Sequence, residues 1–189
     1  MPVTKNYKKW TIMRTYTPRS TSDYIAPFIF KSTDGSNAYV RPPQSLGYNS
    51  GFYTYQMNST YRTLVFIGSG NTEATEDDYH MESVLSTGNL MNPQYTPVPG
   101  TASCMGQMLS YGEDSDGLYT KILITGVNNG NNDMEIKEVG IGHVFDCSSS
   151  QTGGSETQKT VLLYREVLET PLVVSPGLTY EIVVRFNVS

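Results

Sequence analysis

Apolar and polar residues alternate along the C-terminal end of this chain almost to its last residue. Tyr180, Ile182, Val184, Phe186 and Val188 fall on one side, and Thr179, Glu181, Val183, Arg185 and Asn187 on the other. A period of two sustained this long predicts a half-buried strand with one wet face. Upstream, residues 160–175 read as a strand followed by a short strand anchored at Pro171, and Pro176-Gly177 marks a turn into the closing strand. Residues 61–67, Tyr-Arg-Thr-Leu-Val-Phe-Ile, predict a mostly buried strand stopped by Gly68-Ser69-Gly70. Residues 104–111 and 118–125 predict a hairpin joined by residues 112–117. In residues 134–142, Met134, Ile136 and Glu138 alternate against Glu135, Lys137 and Val139, which predicts another strand. Residues 76–86 fit one helical turn or a loop leading into a strand, while residues 88–101 and 148–158 read as loops.

The first sixty residues are patterned differently. Strand-like pieces at residues 10–16 and 24–30 are separated by breakers, and Pro42-Pro43 forces extended backbone within the aromatic stretch 41–55. The expected organisation is an extended aromatic N-terminal arm with short strands over residues 1–60, then a sandwich domain over residues 61–189. Trp10, Tyr16, Tyr24, Phe28, Tyr48, Phe52, Tyr53 and Tyr55 are costly to leave in water. They either pack back on the chain's own sandwich or lie across a neighbouring subunit, and the pattern leaves both open. Eight or more short strands with no convincing helix predict an all-β fold, an antiparallel two-sheet sandwich of jelly-roll-like form.

Composition agrees, since abundant Tyr, Thr, Ser, Gly and Pro suit strands and turns. A formal net charge of −5 without a dense Lys/Arg cluster argues against nucleic acid as a partner. Lys5, Lys8, Lys9 and Arg14 make the start basic, either as a solvated terminus or as a docking patch for an acidic partner. No apolar run approaches the roughly 20 residues of a membrane span, and the first residues lack the apolar core of a signal peptide. The expectation is a protein made and kept in a cytoplasm, or released by lysis, with no membrane partner. Cys104 and Cys147 lack metal or redox spacing and read as small buried apolar groups.

Candidate chemistry is thin. His80 sits among Asp77, Asp78 and Glu82, where a general base or metal ligand is conceivable, but no second histidine lies at ligand spacing. A surface histidine is the simpler reading, and His143 is expected at a strand end. Asp114, Asp116 and Gly117 resemble half of a calcium loop without its closing Glu, and an acidic hairpin tip explains them better. Glu73, Glu76, Asp77 and Asp78 form a second acidic cluster, read as a solvated loop that could alternatively meet a cation or a basic partner. No nucleophile elbow or phosphate loop is present. The expectation is no catalytic residue, no metal and no cofactor. Tyrosine richness suits a carbohydrate platform or a protein interface equally.

Three ordered segments carry a resemblance. Residues 65–79, Val-Phe-Ile-Gly-Ser-Gly-Asn-Thr-Glu-Ala-Thr-Glu-Asp-Asp-Tyr, resemble a G-x-G stretch ending in D-Y that is found in virion structural proteins of tailed bacteriophages. Residues 134–141, Met-Glu-Ile-Lys-Glu-Val-Gly-Ile, are similar to their I-x-E-I/V-G strand, and residues 162–184 to their closing L-x-x-R-x-V-L segment with its P-G turn. The likeness spans roughly residues 65–188 and leaves the first sixty unmatched. It implies a non-enzymatic virion component, assembled in the host bacterial cytoplasm, that self-associates and binds other virion proteins. A capsid auxiliary or decoration protein on the major capsid protein comes first, with the arm clamping neighbouring subunits. A neck, tail or head-fibre protein, or a receptor- or glycan-binding module, is the alternative. Removing residues 1–55 is expected to leave a folded sandwich that no longer joins particles.

Physical roles can be read for the same residues. Gly68 and Gly70 permit a backbone turn that a Cβ would block. Asp78 is placed to bond loop amides, and Tyr79 to plug the core beneath them. Glu138, just before Val139-Gly140, and Arg165 are charges inside apolar strands, and pairing between neighbouring strands would satisfy both. Gly140, Pro176 and Gly177 complete the structural set.

Overall fold

The computed structural model describes residues 3–15, 28–40, 63–91, 104–115, 117–148, 150 and 156–187. Among them, a long central hairpin organises the fold: β7 (Met134–Ser148) and β8 (Glu156–Val174) pair antiparallel from Met134↔Val174 to Ser148↔Glu156. The other edge of β7 takes β3 (Thr63–Gly68), and a single bridge, Tyr39↔Ser148, attaches β2 (Asn37–Val40) with its hairpin partner β1 (Phe28–Lys31). Strand β4 (Val84–Met91) pairs with β3 and then runs parallel to β5 (Met105–Asp114) through Leu90↔Gly106. From there β5, β6 (Gly117–Val127) and β9 (Thr179–Asn187) form an antiparallel set.

The two sets of strands face each other across one apolar core. Val65 and Ile67 of β3, Ile136, Val139 and Ile141 of β7 and Tyr164 of β8 meet Ile122 and Ile124 of β6 and Tyr180 and Val184 of β9. The fold is all-β and sandwich-like, mostly antiparallel, with β4–β5 as the parallel pair among the described strands. The closing strand alternates as its sequence requires, with Tyr180 and Val184 buried and Thr179, Glu181 and Val183 exposed.

Three features depart from expectation. The piece expected as two strands over residues 160–175 is one strand, β8, in which residues 168–171 bulge opposite Lys137. Pro171 falls in that bulge, where its missing N–H breaks no ladder bond. His143 lies within β7 rather than at a strand end, buried between rings. Residues expected to open on a strand instead form helix α1 (Lys5–Thr15). Thr4 starts it, accepting from the Tyr7 amide through Oγ1 and from the Lys8 amide through its carbonyl. Tyr7, Trp10 and Met13 recur at helical spacing and turn towards the sheet, while Ile12 points to solvent.

The described part of the N-terminal sixty residues is therefore folded onto the sheet and not extended. Tyr7 and Met13 of α1, Phe30 of β1 and Ala38 and Val40 of β2 share a second core with Phe145, Cys147, Val161 and Leu163. Phe30 stacks on Phe145 at 5.2 Å between ring centroids. Apolar residues on both faces explain why residues 138–143 and 161–165 are buried without interruption. Removing residues 1–55 would strip one side of β7–β8, so such a truncation is not expected to leave the sandwich intact.

Candidate functional site

A buried cationic centre ties the three resembling segments together. Arg165, on β8, projects beneath the loop between β3 and β4, and its side chain is 4% exposed. Its Nε donates to Glu138 Oε2 at 2.6 Å, Nη1 to Asp78 Oδ2 at 2.8 Å, and Nη2 to the Thr72 carbonyl at 3.1 Å and Glu82 Oε2 at 3.4 Å. The expected Glu138–Arg165 pair is thus present as geometry. Gly140 is the register partner of Arg165, and Val167 that of Glu138, so the pair is diagonal across β7–β8.

One guanidinium faces three carboxylates, and backbone amides supply the remaining positive character. Glu138 accepts from the amides of Gly70 at 3.2 Å, Glu82 at 3.2 Å and Ser83 at 2.8 Å. Asp78 accepts from the Thr75 amide and hydroxyl, and Glu82 from the Thr72 amide. Burial raises the Asp78 carboxyl, but bonds from Arg165 and Thr75 outweigh it and hold the group below its ordinary value. The Thr72 amide similarly lowers Glu82. Burial lowers the Arg165 pKa, yet hydrogen bonds from its guanidinium to Asp78 and Glu138 raise it on balance.

Gly68 and Gly70 are needed for space and not for an unusual turn, since neither has positive φ. A Cβ on Gly68 would collide with Glu138 Oε1 and lie 2.5 Å from the Ser83 carbonyl oxygen. On Gly70 it would strike Glu82 and lie 2.7 Å from Glu138 Oε1. Gly140 likewise leaves room for Met81, whose sulfur would sit 2.6 Å from an added Cβ. Tyr79 does not plug the core. It is half-buried, edge-on to His80 and 5.7 Å from the Lys31 ammonium, and the neighbouring Met81 is the buried plug, against Phe66 and Leu162.

Two lysines of the basic start meet two carboxylates of the acidic loop. Lys5 reaches Asp77 at 2.5 Å and Lys8 pairs with Glu76, while the Lys5 amide donates to the Glu76 carbonyl. Two buried polar residues that the sequence reading missed secure α1: Thr4 Oγ1 donates to the carbonyls of Leu162 and Leu163, and Asn6 exchanges bonds with the Lys31 backbone. Both look like ordinary loop polar residues in the sequence, and only a helix-start signal at Thr4 could have marked them. Glu82, noted in the sequence only as a neighbour of His80, is the third carboxylate.

The remaining candidates scatter. Trp10 and Phe28 are half-buried against the second core, with the Trp10 ring 6.3 Å from His143. Tyr16, Tyr24, Tyr48, Phe52, Tyr53 and Tyr55 lie outside the described residues. Pro176 and Gly177 form a turn closed by the Leu178 amide on the Ser175 carbonyl, with Gly177 at φ +77°. His80 is exposed. Asp114 pairs with Arg185 at 2.8 Å, and Asp116 lies outside the described residues. Cys104 and Cys147 are buried free thiols, with burial pushing Cys104 up to about 12.

The Arg165 centre offers no poised nucleophile or base: each carboxylate is engaged, and the position a bound cation would take is filled by the guanidinium. Its physical effect is to clamp the loop carrying Ser69–Ser83 onto β7 and β8. Protein-family models, curated proteins and solved structures contain no match to this chain.

Proposed function

We propose that this protein is a non-enzymatic structural component of a tailed-phage particle, a capsid auxiliary protein that binds neighbouring shell subunits. One observation carries the reading. The residues through which three separate segments resemble phage virion proteins, Gly68, Gly70, Asp78, Glu138 and Arg165, converge on one buried centre devoted to holding the fold. A scaffold whose strongest polar interactions are internal suits a part that works by shape and repetition. On this reading the protein assembles in the host cytoplasm and ends in the virion, with the major capsid protein or neck and tail components as partners.

The jelly-roll form belongs to the same proposal. Two facing layers closed by the C-terminal strand support it, whereas the predominance of pairings between strands adjacent in sequence weighs against it. The test is mass spectrometry of gradient-purified particles from infected cells, with localisation by cryo-electron microscopy. Stoichiometric presence in the shell is the expected result. Consistent absence from particles, with the protein abundant in the soluble lysate, would overturn the proposal.

A further inference from the structure

We infer that β9 is a dimerisation edge, on which a second copy of this chain adds its own β9 antiparallel and continues the β5–β6–β9 sheet across a two-fold axis. Among the described strands β9 pairs with β6 alone, so its other edge carries no described strand. The segment Thr-Tyr-Glu-Ile-Val-Val-Arg-Phe-Asn contains no Pro, no Gly and no register shift of the kind that blunts an edge.

What selects a second copy as occupant is the pattern of the strand itself. About a two-fold at Val183, Glu181 faces the partner's Arg185 and Arg185 the partner's Glu181. Ile182 faces Val184, Tyr180 faces Phe186, and Thr179 faces Asn187. Every position thus meets a chemically matching one, with two opposite-charge pairs flanking a Val–Val contact. Registers that keep the faces matched move in steps of two residues. The next one either way places Glu181 opposite Val183 or Asn187, and both ion pairs are lost.

The sheet already presents these groups. Val183 is 58% exposed, Glu181 is exposed, and Leu123 stands beside Val183 in register, so pairing would give a continuous apolar row on the outer face. Arg185 is held on that face by Asp114 and by the Tyr119 ring, 4.5 Å from its guanidinium carbon. Lys121 is its register partner, so two cations lie side by side on this patch. The partner's Glu181 brings a carboxylate to them. This inference does not depend on the virion reading, because a two-fold pair in solution neither requires nor excludes a particle.

A nine-residue strand pair is smaller than a standard interface, so the expected dissociation constant is on the order of micromolar. Sedimentation equilibrium of the whole chain, from about 1 to about 300 µM, should show a monomer–dimer equilibrium. Glu181→Arg alone and Arg185→Glu alone each juxtapose like charges twice and should weaken association about tenfold or more. An equimolar mixture of the two should restore it as a heterodimer. Val183→Cys should form an intermolecular disulfide under mild oxidation, since directly opposed residues lie about 4.5–5.5 Å apart at Cα. Glu181→Cys, about 13 Å from its own copy by strand rise, should not. Circular dichroism checks that each variant folds. A wild-type monomer at every concentration, a dimer indifferent to Glu181→Arg, a mixture that stays apart, or equal cross-linking at 181 and 183 would each overturn the inference.

Discussion

Replacing Arg165 with Met removes the cation and leaves Glu138, which is fully buried, facing apolar neighbours with only three backbone amides. Breaking a buried ion pair from one side costs about 3–5 kcal/mol, because the surviving charge is uncompensated. The upper part of that range is expected, since Asp78, Glu82 and the Thr72 carbonyl lose their donor in the same step. For a chain of this length the loss corresponds to a fall in Tm of roughly 6–20 °C. Urea denaturation of Arg165→Met, Glu138→Gln and the double variant provides the measurement. The double variant should lose about 2 kcal/mol less than the sum of the single losses, because the second change removes the orphaned charge that the first created. Amide exchange at Gly70 and Ser83 should accelerate in Arg165→Met before global unfolding, reporting release of the loop. Losses that simply add, or a double variant worse than the sum, would refute the account of this centre as a coupled clamp.

Acid should weaken the same centre. Asp78 and Glu82 titrate lower in the folded chain than in the unfolded one, so the stability they add is fully present above the ordinary carboxylate range. It is lost as pH falls through their folded values, so Tm should decline below about pH 4, more gently in Asp78→Asn. Thermal melts across that window check the sign. Gly68→Ala drives a methyl group against the Glu138 carboxylate and the Ser83 backbone, and only the first can yield. A loss of about 1–3 kcal/mol is expected by urea titration, with the helix-side core unaffected.

Strands with a single wet face were readable from their alternation, as β9 shows with Tyr180 and Val184 inward and Glu181 and Val183 outward. The Glu138–Arg165 pair was also readable, because two charges inside apolar strands demand partners. What escaped depended on contacts distant in sequence. Trp10 and Ile12 mimic strand alternation, and the helical stripe of Tyr7, Trp10 and Met13 gains meaning only against Phe145 and Leu163. The basic start and the acidic loop each looked solvated because neither reveals the other across some seventy residues. Gly68 and Gly70 resembled turn residues, whereas their role is set by a carboxylate on another strand.

Thr4 bonds the carbonyls of Leu162 and Leu163, and helix α1 rests on Val161 and Leu163. During synthesis, then, α1 meets β1 and β2 early, but its anchor at Leu162 follows Thr4 by 158 residues. Until then Tyr7, Trp10 and Met13 are only partly covered, and closing a loop of this length is slow. That interval is when the nascent chain is most open to capture by a chaperone or by a sister polypeptide on the same messenger.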